Sequence, residues 1–150
     1  MNPRAVFRIN AISGDRGRTS LGTFNAFFPS PFFFGETKII GPANVYDIVG
    51  SLELALRRNV TFDFVAGAFW RFSDRDGLYT YSGSLLRRSS GSDSRYIGDQ
   101  ASARLDWKVT ASLSLTAAVA AFDPGPFLSD TGGKGMRYFS LSSTYRFSNT

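Results

Sequence analysis

The sequence predicts an all-β fold, an antiparallel up-and-down transmembrane β-barrel segment of about six strands, and three observations predict it. About six segments alternate apolar and polar residues with a period of two. The connections between them run long, short, long, short, medium, which in a meander puts the longer ones at one end of the sheet and the tight ones at the other. Usage is rich in aromatics and glycine, with 15 Phe and 15 Gly in 150 residues, a composition suited to strands and loops rather than helices.

The first strand spans Arg4 to Ser13, with Ala5, Phe7, Ile9 and Ala11 on one face and Arg4, Arg8 and Asn10 on the other. A long connection from Gly14 to about Ala43 follows, and its many aromatics, among them Phe24, Phe27, Phe28 and Phe32-Phe33-Phe34, imply that it folds against something. The second strand, Val45 to Leu56, sets Tyr46, Ile48, Leu52, Leu54 and Leu56 against Asp47, Val49, Ser51, Glu53 and Ala55. Arg57-Arg58-Asn59 is short enough to make a hairpin with the third, Val60 to Phe72. There Phe62, Phe64, Ala66, Ala68 and Trp70 oppose Thr61, Asp63, Gly67 and Arg71. A helix would place Asp63 and Gly67 in its apolar stripe, which argues for the strand.

A polar connection, Ser73 to Arg95, precedes the fourth strand, Tyr96 to Lys108, in which Ala101, Ala103, Leu105 and Trp107 oppose Gln100, Ser102, Arg104, Asp106 and Lys108. Val109-Thr110-Ala111 turns into the fifth, where Leu113, Leu115, Ala117, Val119 and Ala121 alternate with small or polar residues. A loop from Asp123 to Gly133 delivers the last strand, Tyr138 to Phe147, with Phe139, Leu141, Tyr145 and Phe147 on its apolar face. At about ten residues, strands of this length cross a bilayer when tilted. The chain reads as a single barrel segment over residues 1–150.

The formal charge is +5 and the chain has neither Cys nor His. Disulfides, thiolate metal sites and imidazole chemistry are therefore excluded, and the basic balance suits an acidic partner. No apolar run is long enough for a membrane-spanning helix, and the start at Met1 lacks the apolar core of a secretory signal. The charges assigned to strands, Arg4, Arg8, Asp47, Glu53, Asp63, Arg71, Arg104, Asp106, Lys108 and Arg146, all fall on the polar face and none on the apolar one. Trp70 and Phe72 at the long-loop end, with Trp107 and Tyr145 at the short-turn end, resemble two aromatic girdles.

Several short stretches then carry a resemblance. Ser13-Gly14-Asp15-Arg16, Leu21-Gly22-Thr23-Phe24-Asn25 with Phe28-Pro29, Phe34-Gly35, Ile40-Gly41-Pro42-Ala43-Asn44, Phe69-Trp70-Arg71, Arg75-Asp76-Gly77-Leu78-Tyr79, Gly125-Pro126-Phe127-Leu128 with Asp130-Thr131-Gly132, and Tyr145-Arg146-Phe147 resemble the C-terminal part of the alginate export family. The resemblance implies an outer-membrane β-barrel of about eighteen strands, of which this chain is the C-terminal portion, passing an anionic polysaccharide out of a Gram-negative cell. It implies outer-membrane lipid and periplasmic export proteins as further partners. Two departures stand beside it: no strands or signal precede Met1, and Ser148-Asn149-Thr150 follow Phe147, the residue type on which many such barrels end.

For such a channel the chemistry is electrostatics and width. Guanidinium groups offer paired donors to the carboxylates of a polyuronate, so Arg8, Arg71, Arg104 and Arg146, with Lys108, are the expected pore-lining contacts, and Asp47, Glu53, Asp63 and Asp106 would orient them. A general porin on the same fold, or a soluble β-sandwich binding carbohydrate, are the competing readings. Catalysis is disfavoured, because the carboxylate pairs Asp74 with Asp76 and Asp123 with Asp130 sit in Gly- and Pro-rich loops where Asp forms turns. Arg57-Arg58 and Arg87-Arg88 lack stacking aromatics, so no nucleic-acid partner is expected. No cofactor is expected, and calcium in the acidic loops has no EF-hand spacing behind it.

Overall fold

The structure, a computed structural model, describes residues 3–17, 22–28, 36–37 and 39–147. In chain order the elements are β1 (Pro3–Ile12), β2 (Val45–Arg57), β3 (Val60–Arg71), β4 (Leu78–Tyr79), β5 (Leu85–Arg87), β6 (Tyr96–Lys108), β7 (Leu113–Pro124), α1 (Pro126–Asp130) and β8 (Met136–Tyr145). Six of the strands form one antiparallel sheet in the order β1-β2-β3-β6-β7-β8, while β4 and β5 make a separate small hairpin. The six strands expected from alternation are these six, in the expected order. The sheet is open, with β1 and β8 as its edges among the described residues.

The tight turns are held by side chains. Asn59 donates from Nδ2 to the Lys108 carbonyl at 3.0 Å, and the Lys108 amide returns a bond to the Asn59 carbonyl at 2.9 Å, which ties one turn to its neighbour. At the next turn the Thr110 hydroxyl oxygen accepts from the amides of Ser112 and Leu113 at 3.2 and 3.0 Å, a local mimic of a backbone turn.

The register confirms the predicted faces strand by strand. On the polar face, the inner one because the connections fold over it, one row runs Arg4, Glu53, Asp63, Arg104, Ala118, Ser140, each directly opposite the next. On the outer face the corresponding row runs Ala5, Leu52, Phe64, Ala103, Val119, Phe139. Outer side chains such as Phe7, Phe139 and Leu141 stand about 70% open, at 69%, 69% and 70%.

One expectation about charge is corrected. Asp99 lies opposite Asp123 on the outer face, and Arg137, opposite Ala121 on that face, pairs with Asp123 at 2.8 Å. β7 runs on to Pro124 and β8 begins at Met136, so residues read as loop are carried into the sheet, while Asp99 lies within the strand and on its apolar face. All three sit near the loop end.

The hydrophobic cluster lies on the inner face at the loop end. There Val45, Val49, Phe69, Ile97 and Phe122 from the sheet are covered by Ile40, Leu78, Phe127 and Leu128 from the connections. The first connection does fold against the rest of the chain, through Ile40 in this cluster and Asp15 and Thr23 on Asp76, but its aromatics Phe24, Phe27 and Phe28 are exposed and do not make that contact. Phe32 to Phe34 lie outside the described residues.

Glycine permits a close approach of β6 to β7 at the loop end. A side chain on Gly98, which has φ +144, would meet the Asp123 carbonyl at 2.3 Å, and the irregularity between Phe69 and Trp70 falls opposite it.

Candidate functional site on the inner face

Midway along the inner face, toward the short turns, is a groove of about 510 Å³ whose lining includes Arg4, Glu36, Glu53, Asp63, Arg104 and Asp106. Arg104 is its centre. Its Nε and Nη2 donate to both carboxylate oxygens of Asp106, at 2.7 and 3.1 Å, the forked geometry that fixes a guanidinium best. Its remaining Nη1 reaches Glu36 at 3.3 Å. Thr116 completes the arrangement by donating its hydroxyl to Asp106 at 2.5 Å. Glu36 arrives from the first long connection, and next to it the Thr37 hydroxyl donates to Gln100.

Alternation assigned the face of each pore-lining candidate but not its surroundings. Glu53 and Asp63 are like charges directly opposite one another, flanked by Arg4 on one side and Arg104 on the other. Opposed carboxylates repel, and the neighbouring guanidiniums ease this only in part, the fork of Arg104 being taken by Asp106. Asp47 is fully buried and accepts from Asn10 at 2.8 Å. Arg8 is half-buried two residues along β1 from Asn10. Lys108 is exposed at the short-turn end, and Arg146, just past β8, donates its amide to the Ser112 carbonyl at 2.9 Å.

Arg71 is the exception. It lies on the inner face as read, but only 1% of it is exposed. Its guanidinium makes five hydrogen bonds to backbone carbonyls, to Ser94 from Nε at 3.1 Å and from Nη2 at 2.5 Å, to Ser92 at 2.9 Å, to Asp74 at 2.8 Å and to Asp76 at 3.2 Å. Every donor is engaged, so Arg71 holds the second long connection in place and has no donor left for a ligand.

Arg4 belongs to the groove and was legible from the alternation of β1, while Glu36 carried no signal, being a lone acid in a long connection.

The loop carboxylates are structural. Asp76 accepts from the amides of Asp15 and Gly77, both at 2.7 Å, from the Thr23 hydroxyl at 2.5 Å and from the Tyr79 hydroxyl at 2.8 Å. Burial pushes the Tyr79 hydroxyl above its ordinary pKa, and its bond to Asp76 adds to the rise. Asp74 pairs with Arg95, and Asp130 accepts from Ser92. Among the described residues no group of three or more acidic side chains is placed to hold a metal.

At the two ends of the outer face stand aromatic groups. Trp70 lies between Tyr46 and Tyr96, ring centres 5.7 and 5.5 Å away. At the other end Trp107 is exposed, and Tyr145 meets Phe147 edge-on at 4.8 Å. No helix among the described residues is long and apolar enough to cross a membrane, which says nothing of crossing by strands.

These features define a class: an all-β meander that turns an apolar face one way and a charged, loop-capped face the other. The chain belongs to the alginate export family, whose model matches residues 1–142. That family is one of transport, its role polysaccharide export and its location the outer membrane. Searches of curated proteins and of solved structures each returned no match.

Proposed function

We propose that this sheet is part of the wall of an outer-membrane β-barrel whose inner face lines the path of an anionic exopolysaccharide. The observation that carries the reading is the spacing of the two aromatic groups. Trp70 and the Val60–Trp107 pair bound β3, and ten residue steps at about 3.3 Å, tilted by about 40°, span about 25 Å, the height of the apolar band of a membrane barrel. Between them the outer rows through Leu52 and Leu54 carry no charge, and the charges on that face, Asp99, Asp123 and Arg137, lie in the two rows nearest Trp70.

Along the path, Arg104 is the contact best placed to exchange partners. Asp106 fixes its plane with two bonds, while Glu36 holds the third donor at the longer distance of 3.3 Å. A uronate carboxylate can take the place of Glu36 without disturbing the fork, which gives a contact strong enough to guide and weak enough to release. Arg8, Lys108 and Arg146 supply further donors on the same face. The groove itself holds Arg4 and Arg104 against Glu36, Glu53, Asp63 and Asp106, so the wall works by exchange between paired charges rather than as a bare cationic strip.

Planar-bilayer recording of the protein as encoded in full tests this. Polyuronate is expected to block current at concentrations at which neutral oligosaccharide does not, Arg104→Gln to weaken the block several-fold, and Glu36→Gln to strengthen it. Equal block by charged and neutral sugars would instead favour a general solute channel, the reading to which the excess of carboxylates in the groove lends weight.

A further inference from the structure

On the opposite side of the sheet from the groove, at the loop end, a second cavity of about 960 Å³ is lined by Arg16, Arg75 and Arg95 together with Tyr46, Trp70, Phe72 and Asp74. We propose that this cleft binds the phosphate of a lipid headgroup in the leaflet next to the long loops. The inference rests on the membrane reading above and deepens it.

The cleft has two parts of different chemistry. Its floor is the aromatic end of the outer face, Tyr46 against Trp70, continuous with Ile48 and Ala68 one row further down. Its rim is cationic. The Arg16 guanidinium carbon stands 6.0 Å from the centre of the Phe72 ring, and Arg75 donates from Nη1 to the Arg16 carbonyl at 3.3 Å, which fixes the two arginines side by side. The turn that allows this is made by Gly17, at φ +67, against which a side chain would touch the Arg75 stem at 3.8 Å. Arg95 faces Asp74 at 3.7 Å, an exposed and loose pair. Among the described residues no carboxylate pairs with Arg16 or Arg75. Arg71 borders the cleft, but its donors turn inward to the loop carbonyls.

Charge and surface together choose the occupant. A phosphate takes forked donors from several guanidiniums at once, and the three arginines outnumber the one carboxylate in the lining. A soluble anion would make no use of the aromatic floor, whereas acyl chains descending from a headgroup would run along Tyr46 and Trp70 and past Ile48 and Ala68, on the β2–β3 side of Asp99 and Asp123, to the uncharged rows through Leu52 and Leu54. Aromatic side chains at this depth are the usual partners of the headgroup region. The transported polymer lies on the other face and does not compete for the site.

The test is a binding titration of the full-length protein in detergent with diphosphoryl lipid A, its dephosphorylated form and inorganic phosphate, on the unaltered protein and on the triple variant R16Q/R75Q/R95Q. A second variant, R57Q/R58Q at the short-turn end, measures loss from net charge alone. The phosphorylated lipid is expected to bind at least tenfold more tightly than the dephosphorylated one, the triple variant to lose at least tenfold, R57Q/R58Q to bind as the unaltered protein does, and millimolar phosphate not to compete. Equal binding by the triple variant, equal loss in R57Q/R58Q, or full competition by inorganic phosphate would overturn the site. Insertion into vesicles is measured in parallel: if the unaltered protein does not insert, the membrane reading fails and the site with it, whereas insertion without the arginine dependence removes the site alone.

Discussion

The guanidinium carbon of Arg71 sits 4.0 Å from the centre of the Phe127 ring. That contact joins β3 to α1, while the hydrogen bonds of the same guanidinium gather the carbonyls of Asp74, Asp76, Ser92 and Ser94. One side chain thus fastens the two later connections over the loop end of the inner face. Arginine suits the task because its planar fork serves several carbonyls while its face lies on an aromatic ring.

Arg71→Leu should therefore release the connection between β3 and β6. Leaving the buried carbonyl of Asp76 and the part-buried ones of Asp74, Ser92 and Ser94 without their donor costs about 3 kcal/mol. Trypsin cleavage at Arg75, Arg87, Arg88 or Arg95 should accelerate at least tenfold, and Arg71→Lys should not restore the original rate, because an ammonium cannot span the same carbonyls. Unchanged cleavage in Arg71→Leu would show that the loops are held otherwise.

Much of this was legible in the sequence, for a physical reason. A strand between an apolar and a wet environment must alternate, so the faces of Arg4, Asp63 and Arg104 follow from counting by two, while their partners come from the register. The covering of Arg71 was not legible, because alternation assigns a face and says nothing of what folds over it. β4 and β5 have only 2 and 3 residues, and α1 has 5, too few for either period to register. Its one local mark was Pro126 at the first helical turn, where proline is tolerated.

Glycines give a matched pair of tests. Gly41 donates its amide to the Tyr79 carbonyl at 2.8 Å, and a Cβ there would fall 2.0 Å from the Thr80 carbonyl oxygen, a backbone atom that cannot step aside. Gly41→Ala should cost about 1–3 kcal/mol in unfolding free energy. Gly50→Ala, where a Cβ meets nothing within 4 Å, should stay within about 0.5 kcal/mol. Equal effects would mean that the first connection does not pack on β4.

Charge placed on the two faces should separate them. Val119 is half exposed on the outer face, at 50%, and Val119→Arg in a bilayer should cost about 2–4 kcal/mol. Ser140→Arg, on the inner face opposite Ala118, should be tolerated within about 1 kcal/mol. Equilibrium folding into vesicles reads both, and equal tolerance would place water on both sides of the sheet.

The most direct test of the central claim uses introduced single thiols, to which the 150 residues add no cysteine of their own, with any cysteine elsewhere in the full-length protein replaced by serine. Cysteine is introduced at Ser51 and Ser142 on the inner face, and at Val119 and Leu141 on the outer face, in the full-length protein in vesicles. A water-soluble maleimide should label the inner pair, several-fold more slowly when polyuronate is present and at an unchanged rate with neutral dextran, while the outer pair reacts only with a lipid-soluble maleimide. Labelling of Val119→Cys and Leu141→Cys by the water-soluble reagent at the inner rate, or inner rates indifferent to polyuronate, would contradict the account.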